Sequence, residues 1–278
     1  MKNIFNILII LSILIFSGCN SKKEKDISLS NVDLEKQMIE AYNNGLKALE
    51  EGDVLFAAKN FNAAENIFPQ SIWAPRSILM AAYSYYTQDY YGDAISETKR
   101  FIRNYPRSKN ISYAYFLLAS CYYELIIDEK KDLSPLLESK KYFKIIMNEY
   151  PETDFALDAK FKVSMINNIL ASKEVYIGKY YIQKEKWIAA INRFKNVVTN
   201  YSETEYVEEA LHRLVELNYK IGLEGEAKNY AVLLGYNYQS SEWYKESYKI
   251  FNKEYEDPKK KIKKEKKFFS IKKIQSLF

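Results

Sequence analysis

Histidine and cysteine carry most metal-ligating and nucleophilic chemistry, and this 278-residue chain holds one His and two Cys. His212 stands in Ala210-Leu211-His212-Arg213-Leu214 and Cys121 in Leu117-Leu118-Ala119-Ser120-Cys121-Tyr122, and both read as helix residues. One imidazole cannot complete a typical zinc site, and neither a glycine-rich phosphate loop nor a nucleophile elbow occurs, so no metal and no catalytic residue are expected. Acidic residues fall at ordinary helical spacings, which leaves carboxylate-only hydrolysis as the remaining catalytic alternative. What the spacing does offer is recognition. Tyr42, Leu46 and Leu49, then Arg76, Leu79, Tyr83 and Tyr86, then Tyr113, Phe116 and Tyr123 fall on one face of three successive helices. Such an aromatic groove with one guanidinium suits an extended peptide that ends in an aromatic residue and a free carboxylate. The competing reading packs most of these rings between helices and leaves Arg76 solvated.

The elements that must position these residues form a repeat. Ala57, Phe61, Ala64 and Pro69 are matched after 37 residues by Ala94, Thr98, Phe101 and Pro106, and after another 45 by Ser139, Phe143, Ile146 and Pro151. Two later copies lack the proline: Ala190, Phe194, Val197 with Ser202, and Ala227, Ala231, Leu234 with Gln239. This frame resembles the second helix of a tetratricopeptide repeat, where a small residue admits a partner helix, an aromatic fills the gap and proline ends the helix. Gly45, Ala82, Ala119 and Gly178 supply small residues on the first helices, with Tyr85, Tyr122 and Tyr181 three positions after the last three. The third repeat carries a lengthened polar turn over 128–135, and an additional helix, Asp154 to Ala171, is expected before the fourth repeat's first helix at Ser172 to Gln183. Ser240 and Ser241 start a capping helix that lays Trp243 over the open end. With few Gly and Pro and no alternating strand pattern, the fold is expected to be all-α: a superhelical array of about five helix pairs with a C-terminal cap.

Both ends carry further signals. Lys2 and the apolar run Ile4 to Phe16, too short to span a bilayer, read as a cleaved signal. Phe16-Ser17-Gly18-Cys19 resembles a bacterial lipobox, which implies a covalent lipid on Cys19 and no other cofactor. With Asn20 rather than aspartate next, the expected destination is the outer membrane, facing the periplasm. Cys121 then has no disulfide partner in the chain. The net charge of +5 comprises +8 from residues 258–278 and +1 from Lys2, leaving −4 on residues 19–257. Nucleic acid is therefore not an expected partner, whereas the basic tail, with Ile271, Ile274 and Phe278 at helical spacing, suits anionic lipid or an acidic partner. The expected divisions are a signal at 1–18, a flexible linker at 19–30, repeats one to three at 31–153, repeats four and five with the cap at 154–251, and the tail at 252–278.

Phe101-Ile102-Arg103-Asn104-Tyr105-Pro106, Glu149-Tyr150-Pro151-Glu152-Thr153, and Tyr180-Tyr181 followed by Trp187-Ile188-Ala189-Ala190-Ile191-Asn192-Arg193 are similar to segments of the BamD family, repeat lipoproteins of the outer-membrane β-barrel assembly machine. The resemblance spans about residues 19–251 and implies a non-enzymatic scaffold. By this likeness the C-terminal half would dock on periplasmic domains of the barrel-forming BamA-type subunit, and the N-terminal half would receive unfolded outer-membrane proteins through C-terminal targeting segments. Accessory lipoproteins are implied as further partners. Arg193 closes the family's Trp-to-Arg string and is the residue expected to dock on the partner. Ser202 in place of proline and the basic tail depart from the family pattern. The alternative is a periplasmic repeat lipoprotein that scaffolds cell-wall synthesis, division or pilus assembly.

Overall fold

The computed structural model describes residues 31–126 and 132–252. The expectations for the signal, Cys19, the linker, part of the lengthened turn and residues 253–278 of the tail lie outside the described residues. Within them run eleven helices and no strand: α1 (Asn31–Glu50), α2 (Val54–Ile67), α3 (Ala74–Tyr86), α4 (Tyr91–Asn104), α5 (Ile111–Glu124), α6 (Ser134–Glu149), α7 (Asp154–Gln183), α8 (Trp187–Asn200), α9 (Val207–Lys220), α10 (Glu224–Asn237) and α11 (Glu242–Phe251). The fold is all-α, as the residue pattern requires. Two compact units divide between Ser77 and Ile78, inside α3.

In the first unit α1 packs on α2, and the contact depends on a missing side chain. A Cβ at Gly45 would fall 2.8 Å from the Phe61 ring. In the second unit each helix from α4 to α10 packs on the next, and the same device recurs between α7 and α8, where a Cβ at Gly178 would lie 2.7 Å from Phe194. Where the small residue is Ala119, the facing position is Ser139, whose hydroxyl donates to the Ala119 carbonyl at 2.8 Å. Ala57, Phe61, Ala64, Ala94, Thr98, Phe101, Ser139, Phe143, Ile146, Ala190, Phe194, Val197, Ala227 and Leu234 are all fully buried, so the repeat frame marks one interior face in every copy. Among the frame positions within the helices, Ala231 alone is half-exposed.

Helix ends follow from local chemistry. Asp53 caps α2 by accepting from the Phe56 N–H at 3.0 Å, and Ser241 caps α11 by accepting from the Trp243 N–H at 3.1 Å. Tyr105, Tyr150, Tyr201 and Tyr238 each end a helix with their own N–H bonded to the carbonyl four residues back. The last two lack a following proline yet stop alike, because the residues after them enter a turn. Within pairs, Gly52 and Gly222 take positive φ, and Asp89 and Glu185 adopt the same left-handed conformation at the corresponding turns.

One expectation is overturned. No break separates Ala171 from Ser172: α7 is a single 30-residue helix, about 45 Å long at 1.5 Å per residue. No proline interrupts it, and its only glycine, Gly178, lies in the Phe194 contact. One helix therefore serves as the neighbour of α6 and as the partner of α8.

Candidate functional site

In the second unit the structure brings together three of the expected groove residues. Tyr83 and Tyr86 on α3 lie near Tyr113 on α5, whose pKa is pushed up to about 12, first by burial and then by the neighbouring tyrosines and Cys121. Tyr83 is exposed, Tyr86 is half-buried beside Tyr91 at 5.8 Å, and Tyr113 lies 5.7 Å from Phe155. Phe116 is not a free groove wall. It packs edge-on against Phe143 at 5.7 Å and beside Phe155 at 5.3 Å, because the start of α7 leans on α5. Tyr123 is covered in part by Lys162, whose ammonium stands 4.3 Å from the ring centre. Phe155 and Lys162, seven residues apart on one face of α7, complete this surface and escaped the sequence reading because the approach of α7 to α5 is a tertiary contact; their i, i+7 spacing was the available signal.

In the first unit the expectation for Tyr42 is corrected. It is only 5% exposed and packs edge-on to Phe61 at 5.2 Å and against Trp73 at 5.6 Å, so it belongs to the core and not to a groove. Its position three residues before Gly45 turns it toward α2. Leu79, in the second unit, is likewise buried. Arg76 remains exposed, its guanidinium 5.4 Å from the Trp73 ring centre and 5.8 Å from that of Tyr42. Burial raises the Tyr42 pKa, with Arg76 pulling the other way. A guanidinium held over two rings keeps its edge available for a carboxylate.

Arg193 on α8 is already engaged within the chain. One guanidinium nitrogen donates to both carboxylate oxygens of Glu174 on α7 at 3.2 Å, with the arginine side chain 40% exposed and the glutamate 16%. Trp187 packs at the start of α8 as expected, with Lys220 3.9 Å above its ring. Along α7, Leu157, Phe161, Met165, Tyr176 and Tyr180 stand exposed within one stripe of the helix, an apolar surface that no other described helix covers.

His212, read from sequence as a plain helix residue, is buried. Its Nδ1 lies 2.8 Å from the Ser247 hydroxyl, its Nε2 lies 3.4 Å from Glu216, and Trp243 packs on the ring at 5.1 Å. A carboxylate only accepts, so Nε2–H donates to Glu216, while the hydrogen bond between Nδ1 and the Ser247 hydroxyl ties the cap α11 to α9. Burial by itself would raise the Glu216 pKa, but hydrogen bonds from His212 and Arg213 outweigh it and hold it down at about 2, against an ordinary 4.5. A depressed carboxylate contributes stability above pH 4.5 that is lost as the pH falls toward 2. With Glu216 38% exposed, solvent screening reduces this to about 1 kcal/mol. Thermal unfolding compared at pH 6 and pH 3 should show Glu216→Gln losing less stability than the parent over that interval. Equal losses would mean that the carboxylate is not held by its neighbours.

Residues 34–233 match a family model described as YfiO, outer membrane lipoprotein. Two relatives named outer membrane protein assembly factor BamD extend the match: that of Caulobacter vibrioides is 36% identical over 85% of this chain and 76% of its own, and that of Rickettsia prowazekii 37% identical over 85% and 92%. The chain belongs to the YfiO/BamD family. A BamD of Xylella fastidiosa is more distant, 25% identical over 86% of this chain and 83% of its own. Among solved structures, the TPR2AB domain of yeast Sti1 aligns with a TM-score of 0.43 and 15% identity, over 73% of this chain and 78% of that one, a level that bears on neither function nor partner. The YfiO/BamD match takes in α1 to α9 and most of α10, and with them Arg193, Tyr83, Tyr86 and Tyr113; α11 lies beyond it. Among the described residues no helix is long and apolar enough to cross a membrane.

Proposed function

We propose that this chain is a lipid-anchored, periplasm-facing scaffold subunit of the machine that folds and inserts outer-membrane β-barrel proteins, and that it works by binding alone. The observation that carries this reading is the match to assembly factors across both the helix pairs and the surfaces described above. Attachment is through lipid on Cys19, with the basic tail as a second membrane contact. The Tyr83, Tyr86 and Tyr113 surface accepts aromatic side chains of unfolded barrel proteins, and Arg76 over Trp73 accepts a carboxylate. The barrel-forming subunit docks on the C-terminal helix pairs, where the exposed apolar stripe of α7 and the Arg193–Glu174 pair lie, and accessory lipoproteins complete the assembly. Relatives named as assembly factors do not favour the alternative of a scaffold for wall synthesis, division or pili.

The test is a pull-down of the chain from detergent-solubilised envelopes, with its partners identified by mass spectrometry. Recovery of a large β-barrel protein with periplasmic domains is expected, and recovery of wall-synthesis or division proteins in its place would overturn the reading. Arg193→Leu should lower that recovery about tenfold, the loss typical of an interfacial arginine. Glu174→Gln separates docking from internal support. If Arg193 acts only by holding Glu174, the two variants should behave alike, whereas a docking arginine is freed by Glu174→Gln and recovery is kept.

A further inference from the structure

The middle position of the frame holds a phenylalanine in three helix pairs, Thr98 in the second and a still smaller residue in the fifth. Phe61, Phe143 and Phe194 fill the middle of the frame in repeats one, three and four, but the fifth repeat carries Ala231 there. A turn further along α10, Gly235 lets Tyr244 of α11 approach so closely that a Cβ would fall 2.7 Å from its ring. A groove of about 590 Å³ lies between α10 and α11, walled by Ala231, Val232, Tyr236, Tyr244 and Tyr248. Val232 and Tyr236 on its rim are 70% and 83% exposed. Its walls are apolar and aromatic, and Lys228 is the one Lys, Arg, Asp or Glu among them. A second cavity of about 550 Å³ shares Tyr236 and Gln239 with the first, is walled by the polar turn Tyr238–Ser241, and holds Glu208 as its one such group.

We propose that this seam is a peptide-binding site for an extended partner segment bearing a large apolar side chain beside an acidic residue, with a basic residue further along. The apolar side chain sits over Ala231 among the wall tyrosines, the acid meets Lys228, and the basic residue crosses Tyr236 to reach Glu208. Opposite charges on the two sides of one aromatic ridge fix the direction of the segment, and the hydroxyl and amide groups on the walls suit a peptide better than a hydrocarbon chain. The inference does not depend on the proposed assembly role, since it follows from the seam alone.

The test uses the detergent-solubilised full chain and a fluorescein-labelled, C-amidated peptide Lys-Ala-Phe-Asp-Ala, with binding followed by anisotropy. Ala231→Phe places a ring on the groove wall, and should weaken binding about tenfold or more. Lys228→Glu, at an exposed position with no packing to lose, should weaken this peptide and favour a version with Lys in place of Asp. The proposal is overturned if the peptide fails to bind at millimolar concentration, if both variants bind as the parent does, or if decanoate displaces the peptide and binds more tightly to the same site. It is also overturned if a photo-crosslinker at Tyr236 captures a second copy of the chain, or the chain's own C-terminal segment, in preference to the peptide.

Discussion

Phe194→Ala should cost about 3–5 kcal/mol of stability, seen as a lower urea midpoint for the unfolding of α7 to α9 followed by Trp187 fluorescence. Phe194 is fully buried among Ala171, Val175, Ala190, Ala210 and Leu214, and its ring fills the space that Gly178 leaves open. Gly178 has no side chain to move into the hole, so relaxation of the surrounding cluster leaves much of the cavity open. The converse change, Gly178→Ala, should cost about 1–3 kcal/mol by pushing against the ring. Combined with Phe194→Leu, the alanine should be better tolerated, so that the double variant loses less than the sum of the two single losses. A loss below about 1 kcal/mol for Phe194→Ala would show that the pair is held elsewhere.

The second large effect concerns attachment. A chain secreted with an ordinary cleavable signal and carrying Cys19→Ala should leave the membrane fraction for the soluble periplasmic one, and should not incorporate labelled palmitate where the parent does. Each buried methylene of an acyl chain contributes about 0.8 kcal/mol, so two or more chains anchor a protein firmly and their loss is decisive. The tail supplies a control. Nine lysines against one glutamate in residues 258–278 would attract anionic lipid by charge, an attraction that weakens with salt. Residual membrane association that disappears at high salt would assign a secondary role to the tail. Full, salt-resistant association without Cys19 would contradict the lipid anchor.

The surfaces in the C-terminal half show what kind of inference each level supports. Arg193 was found by its place after the Trp187 string, and the structure adds Glu174, 19 residues earlier, which no local spacing marks as its partner. His212 and Ser247 are 35 residues apart, and their bond exists only because the capping helix lies against α9. Ala231 takes the aromatic position of the sequence frame, and only with α11 in place does a groove open beside it.

Legible in the residues alone were the helical class, the number of helix pairs, the buried face of each second helix and the serine that starts the cap. Each of these depends on one helix and its 3.6-residue period, so Phe61, Phe143 and Phe194 announced their positions by spacing alone. The tertiary structure decided that α7 runs unbroken through Ala171 and Ser172, that Tyr42 is core while Tyr83 is surface, and that Phe116 is covered by Phe155. These outcomes depend on how close a second helix comes and at what angle. That approach is set by contacts such as Gly178 on Phe194, and the periodicity of a single helix carries no record of it.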